Sequence, residues 1–214
     1  MSVIVASSLT QRFGSEVGID GVDLDVDSGE HLAVLGDNGA GKTTLLRILA
    51  TAARPTSGRI EIFGLNAIVE RRRLRAVIGF VAHAPGLYPA LSARETLDFY
   101  RTLQGVDRAR VAEVLELVGL SEVADRPADK LSRGAQQRLA IGRAVLHDPK
   151  LLVLDEPDAS LDSGGADLLA RVMRGRTAVI ATHDHALANR LCRRTLELRR
   201  GRVVGVPTRL RVVH

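Results

Sequence analysis

Tryptophan is absent, cysteine occurs once, and the aromatic set stops at four Phe and two Tyr. A lone Cys192 has no partner within the chain, which excludes an internal disulfide framework and a cysteine-ligated metal and fits a reducing compartment. So few rings argue against a dedicated single-strand nucleic-acid binder, which needs aromatic platforms for bases. No uncharged apolar run reaches the roughly 18 residues of a membrane-spanning helix. Residues 1–10 also lack the charged-then-apolar layout of a signal peptide, so a cytosolic location is expected. What remains is an ordinary globular composition, 45% hydrophobic and 26% charged over 214 residues, enough for one domain with a small insertion.

Thirty Lys plus Arg against 25 Asp plus Glu give a net charge of +5. The excess is arginine, gathered at Arg71, Arg72, Arg73 and Arg75 and again after residue 190, rather than in one continuous block. These residues are expected on solvated helix faces and strand ends, and no stable nucleic-acid partner is expected.

Short β-branched runs alternate with longer stretches of helical period, the pattern of an α/β fold around a largely buried sheet. Strands are expected at 3–6, 22–26, 31–35, 59–63, 78–81, 151–154, 178–181, 196–198 and 203–206. Between about 85 and 131 the pattern is purely helical. It opens with the capping-box spacing Ser92 to Glu95 ahead of Leu97, Phe99 and Tyr100, and continues with Val111, Val114, Leu115 and Val118 before a helix-ending Gly119. The expected organisation is one domain over 1–214, with a core of 1–84 and 132–214 and an inserted helical subdomain.

The strand at 31–35 runs directly into Gly36, Asp37, Asn38, Gly39, Ala40, Gly41, Lys42 and Thr43, a complete G-x-x-x-x-G-K-T run, and a helix follows from Thr44. Glycines at 36, 39 and 41 let backbone N–H groups turn towards phosphate oxygens, and the helix N-terminus favours an anion. Lys42 is placed to neutralise the β and γ phosphates, and the Thr43 hydroxyl to ligate Mg2+. Far downstream the apolar strand 151–154 ends in Asp155 and Glu156. At the carboxyl edge of a sheet, Asp155 can hold Mg2+ through its water shell, and Glu156 can act as base towards a water attacking the γ-phosphate. Taken alone, two acids after a buried strand are also common helix caps.

Between these elements lies Leu131-Ser-Arg-Gly-Ala-Gln-Gln-Arg138, which resembles the signature loop of the ABC ATPases. The resemblance covers the whole chain and implies a P-loop fold of ABC ATPase type, a mixed sheet core with a helical subdomain. It implies that Ser132 and Gly134 bind the γ-phosphate held by an opposite subunit, with Arg133 and Ala135 departing from the commonest form. Ala159-Ser-Leu-Asp162 is similar to the loop that crosses the dimer interface, although Ala159 and Ser160 depart from it. His183 matches the histidine that contacts the γ-phosphate, and Phe13 the ring that stacks on adenine. His83 stands where most members carry a glutamine that senses Mg2+ and couples to the membrane subunit.

Histidine at position 83, with Ser132-Arg-Gly134, is similar to the haem-exporter ATP-binding subunits of cytochrome c maturation. The family therefore implies ATP and Mg2+ as ligands, and a second ATP-binding subunit, identical or paralogous. It also implies a separate transmembrane permease and a peripheral place at the cytoplasmic face of the membrane, with haem export as the subgroup's activity. Other readings stay open: an exporter of a drug or lipid, a soluble ABC ATPase acting on nucleic acid or ribosomes, or a nucleotide-dependent binding module without turnover.

Overall fold

Two sheets organise the chain in the computed structural model, which describes residues 1–161 and 163–209. The chain opens with strands β1 (Ser2–Phe13), β2 (Glu16–Asp27) and β3 (His31–Leu35), then helix α1 (Lys42–Leu49), β4 (Ser57–Ile62) and the two-residue β5 (Leu65–Asn66). The short helix α2 (Arg71–Arg75) leads into β6 (Ile78–Val81), followed by the helices α3 (Ala93–Gln104), α4 (Ala109–Leu117) and α5 (Arg133–Val145). β7 (Leu151–Asp155), α6 (Gly165–Met173), β8 (Thr177–Ala181), α7 (His185–Leu191), β9 (Arg194–Arg199) and β10 (Arg202–Arg209) complete it.

The antiparallel sheet runs β2-β1-β4-β5, and the larger sheet runs β10-β9-β3-β8-β7-β6. In the latter β3, β8, β7 and β6 are parallel neighbours, with His31 beside Ala178, Asp155 beside Ala181 and Val81 beside Leu154. Every residue of β7 and β8 is buried, because helices and the first sheet cover both faces. Alternation along these strands divides the interior. Leu32, Val34, Val153 and Val179 face α1 and the antiparallel sheet, whereas Ala33, Leu152, Leu154 and Ile180 join α3 to α7 on the other side. Each such Leu or Val buried contributes on the order of 1.5–3 kcal/mol.

The helical stretch forms as its pattern predicts. Ser92 Oγ accepts the Glu95 N–H at 3.2 Å and the Ser92 N–H donates to Glu95 Oε2 at 2.8 Å, a complete capping box. Gly119 follows α4 with φ of 70°, the left-handed conformation of a helix stop. Leu97, Val114 and Val118 are fully buried, whereas Phe99 stays exposed. The buried face of α5 packs on α3 and α4 as well as on β6, so it shares its core with the helical stretch.

The first hairpin is much longer than the runs at 3–6 and 22–26 suggest. Its distal half is polar and repeatedly out of register, with Ser8 at φ of 52°, so hydrophobic alternation carries no trace of it.

Candidate nucleotide site

Four neighbouring parallel strands deliver the chemistry to one sheet edge. β3 ends in the glycine loop, β8 leads to His183, β7 ends in Asp155 and Glu156, and β6 leads to His83. Backbone crowding explains two of the loop glycines. A Cβ on Gly36 would lie 2.3 Å from the Leu198 carbonyl oxygen, and one on Gly41 2.4 Å from that of Gly18. Both adopt positive φ, 146° and 105°, so the loop can be built only with glycine there. No side chain caps α1, so its first N–H groups have no side-chain acceptor at the N-cap.

Lys42 is 5% exposed and folds back over the loop, Nζ donating to the carbonyls of Gly36 at 2.6 Å and Asp37 at 3.2 Å. The Thr43 hydroxyl donates to Asp155 Oδ1 at 3.2 Å. Asp155 is buried and its Oδ2 has no hydrogen-bond partner. Burial holds this carboxyl above the usual carboxylate range, partly offset by the Thr43 hydroxyl.

Glu156 sits at φ of 48°, a left-handed conformation that costs a non-glycine residue about 1 kcal/mol or more, and its N–H donates to the Ala181 carbonyl at 2.9 Å. That turn aims the carboxylate back across the strand ends. Oε2 lies 3.3 Å from His83 Nδ1, and Oε1 lies 3.6 Å from Lys42 Nζ and 3.9 Å from His183 Nδ1. Three nitrogen groups thus surround one base-competent oxygen pair.

A cleft of about 510 Å³ connects these groups to the hairpin. Residues 37–44, His83 and Glu156 line it, together with Phe13, Glu16, Val17 and Gly18 of the hairpin. Phe13 is 57% exposed, with its ring open to the cleft. Glu16, Val17 and Gly18 escape a motif-based reading. Only Gly18 leaves a signal, a glycine inside a strand: a Cβ there would meet the Phe13 ring at 2.8 Å and Thr44 at 3.0 Å.

Ser132 and Gly134 do not reach this cleft within their own chain. Ser132 caps α5, its side chain accepting the Ala135 N–H at 3.2 Å, and remains exposed. Gly134 packs against the loop after Glu156, where a Cβ would stand 2.8 Å from the Ser160 carbonyl oxygen. Buried Gln137 grips the same loop through the Pro157 carbonyl at 3.2 Å. Asp158, a residue with no motif signal, accepts the Thr182 hydroxyl at 3.3 Å beside His183, and burial raises its pKa. Asp162 lies outside the described residues.

The family profile described as ABC transporter matches residues 19–159. The chain belongs to this family, as an ABC ATPase cassette. The bacitracin transport ATP-binding protein BcrA of Bacillus licheniformis is 39% identical over 189 residues, 85% of this chain, which spans only 62% of BcrA's length. The lipoprotein-releasing system ATP-binding protein LolD of Bacteroides fragilis is 35% identical over 217 residues, covering 94% of this chain and 100% of LolD. A solved structure of the ATP-binding cassette MJ0796, a dimer in a post-hydrolysis state with ADP and Pi, superposes with a TM-score of 0.88. Its identity is 29%, over 97% of this chain and 99% of the other. The mixed α/β cassette fold expected from the motifs is therefore the observed one. Among the described residues no helix is long and apolar enough to cross a membrane.

Proposed function

We propose that this cassette binds ATP with Mg2+ and hydrolyses it to drive a separate membrane-spanning subunit, working as a pair around two nucleotides. The observation that carries the reading is the convergence of Lys42, Thr43, Asp155 and Glu156, with His83 and His183 alongside, at the ends of four adjacent strands.

In this reading the N–H groups of residues 36–44 and the Lys42 ammonium hold the phosphates, and Phe13 stacks on adenine. The residues present suit Mg2+: a buried, partnerless Asp155 oxygen and a neighbouring hydroxyl are hard oxygen donors. Bound there, Mg2+ supplies positive charge to the β and γ phosphates. Glu156 takes a proton from the water whose oxygen attacks the γ-phosphorus, while the bond to the β-phosphate oxygen breaks and ADP leaves with phosphate free. His183 orients that water, and His83 holds Glu156 from the other side. Ser132 and Gly134 do not line their own cleft, which favours their use on a second copy's γ-phosphate. Helices α3 and α4 act as the subdomain that a permease engages at the cytoplasmic face of the membrane.

Light-scattering mass of the Glu156→Gln protein with and without MgATP tests this. A mass that doubles only with MgATP is expected; a protein that binds no ATP would sink the whole reading, and an ATP-bound monomer would sink the paired site. Haem export is a finer reading. It rests on His83 and Ser132-Arg-Gly134, while the relatives compared above carry bacitracin and lipoprotein release in their names. Turnover by the cassette purified with its membrane partner should then rise on addition of haem, and an unchanged rate excludes it.

A further inference from the structure

Helix α5 holds the loops on either side of the contact between His83 and Glu156. Its buried Gln137 donates to the Pro157 carbonyl, one residue after Glu156. Six residues on, about 9 Å along the helix, Arg143 donates to two successive carbonyls. Its Nη2 reaches Pro85 at 2.8 Å and its Nη1 reaches Gly86 at 2.9 Å. These carbonyls lie two and three residues after His83, whose Nδ1 stands 3.3 Å from Glu156 Oε2.

The segment needs such a tie. β6 ends at Val81 and α3 begins only at Ala93. Among the described residues the backbone of 83–87 makes no hydrogen bond to other backbone, and His83 is 62% exposed. Neither a strand ladder nor burial therefore fixes the imidazole. Arg143 is half-buried, with its Cζ 5.2 Å from the ring centroid of Tyr100 on α3, the helix into which the segment leads. Among the described residues no carboxylate pairs with Arg143, so its guanidinium is committed to the ring and the two carbonyls.

We propose that Arg143 is a positioning residue for ATP hydrolysis: by fixing the Pro85 and Gly86 carbonyls it keeps His83 against Glu156, and so keeps the carboxylate aimed at the attacking water. This rests on the assignment of Glu156 as the base. Arg143 touches neither nucleotide nor water and acts only through the segment it holds. Its planar fork spans two carbonyls while one face meets the Tyr100 ring. A lysine ammonium, a point charge on a flexible stem, cannot do both at once.

ATP binding and single-turnover phosphate release are measured on the full chain for Arg143→Met and Arg143→Lys, alone and combined with His83→Ala. Each Arg143 variant should slow release about tenfold while ATP affinity stays within about twofold of the wild type. With His83 already replaced, neither should slow it further, whereas a merely structural role costs the same in both backgrounds. Arg143→Lys keeps stem and charge, so it tests the fork even where the methionine variant fails to fold. Histidine-ring NMR of the nucleotide-free chain reads the same tie without turnover. The His83 signal, identified by its loss in His83→Gln, should shift or broaden in both Arg143 variants while that of His31 on β3 stays put. An unchanged release rate, an unchanged His83 signal, equal slowing with and without His83, or ATP affinity falling in step with the rate each overturns the proposal. Failure of the base assignment shows elsewhere: full turnover in Glu156→Gln removes the base, and the His83 signal still reports whether Arg143 holds the segment.

Discussion

Replacing Glu156 by Gln should separate two things that this carboxylate does. Its Oε1 stands 3.6 Å from Lys42 Nζ, and the side chains are only 16% and 5% exposed. At an effective dielectric near 20 the attraction at this range is about 5 kcal/mol, of which about 1–2 kcal/mol survives desolvation and competition from water. Lys42 must turn from that partner to the phosphates, and the carboxylate itself repels the incoming anion. The amide removes both obstacles, so ATP affinity should rise about 5- to 30-fold. Without a proton acceptor, turnover should fall about 10²- to 10⁴-fold. Titration with ATP in excess Mg2+, followed by single-turnover phosphate release, reads the two effects independently. Weaker binding than the wild type would refute the account of Lys42 as held by Glu156, and unchanged turnover would remove Glu156 from the role of base.

Gly134→Ala puts a Cβ 2.8 Å from the Ser160 carbonyl, so either α5 or the loop must move. Urea unfolding should show a loss of about 1–3 kcal/mol, and turnover should drop while ATP binding to the single chain persists. Cys192 is 1% exposed and burial pushes its thiol up to about 12. A maleimide at about pH 8 should therefore label it only in the unfolded chain, and rapid labelling of the native protein would contradict its burial. His147 donates to or accepts nothing at Nδ1, and burial holds its pKa below the usual value, despite the Ile78 carbonyl 3.2 Å from Nε2. The unfolded chain then binds the proton first, so this contribution to stability is present above about pH 6.5 and lost as pH falls through the lowered value. Thermal melts across that range should show the decline flattened in His147→Gln.

That Lys42, Thr43, Asp155 and Glu156 would meet at one sheet edge was legible because the pattern is dense and local: crowded glycines, a lysine, and acids after an apolar strand. The order of the strands was not. That β6 lies beside β7, and hence His83 beside Glu156, follows from pairing between segments distant in the chain, which no local pattern records. The polar half of the first hairpin was equally silent, and with it Glu16 and Val17, since an exposed ribbon has no apolar stripe. Arg71 and Arg75 looked like surface charge because composition does not show that both donate to the carbonyl of buried Thr51, just past the end of α1.

The strand that ends in the glycine loop has a further consequence for how the molecule is made. β3 is flanked by β8 and β9, both encoded in the last quarter of the chain. During synthesis at about 5–20 residues per second, this apolar strand waits on the order of ten seconds with both edges unpaired. Over that interval it is open to wrong partners, as any bare strand edge is. The part of the sequence easiest to recognise is thus among the last to acquire its shape.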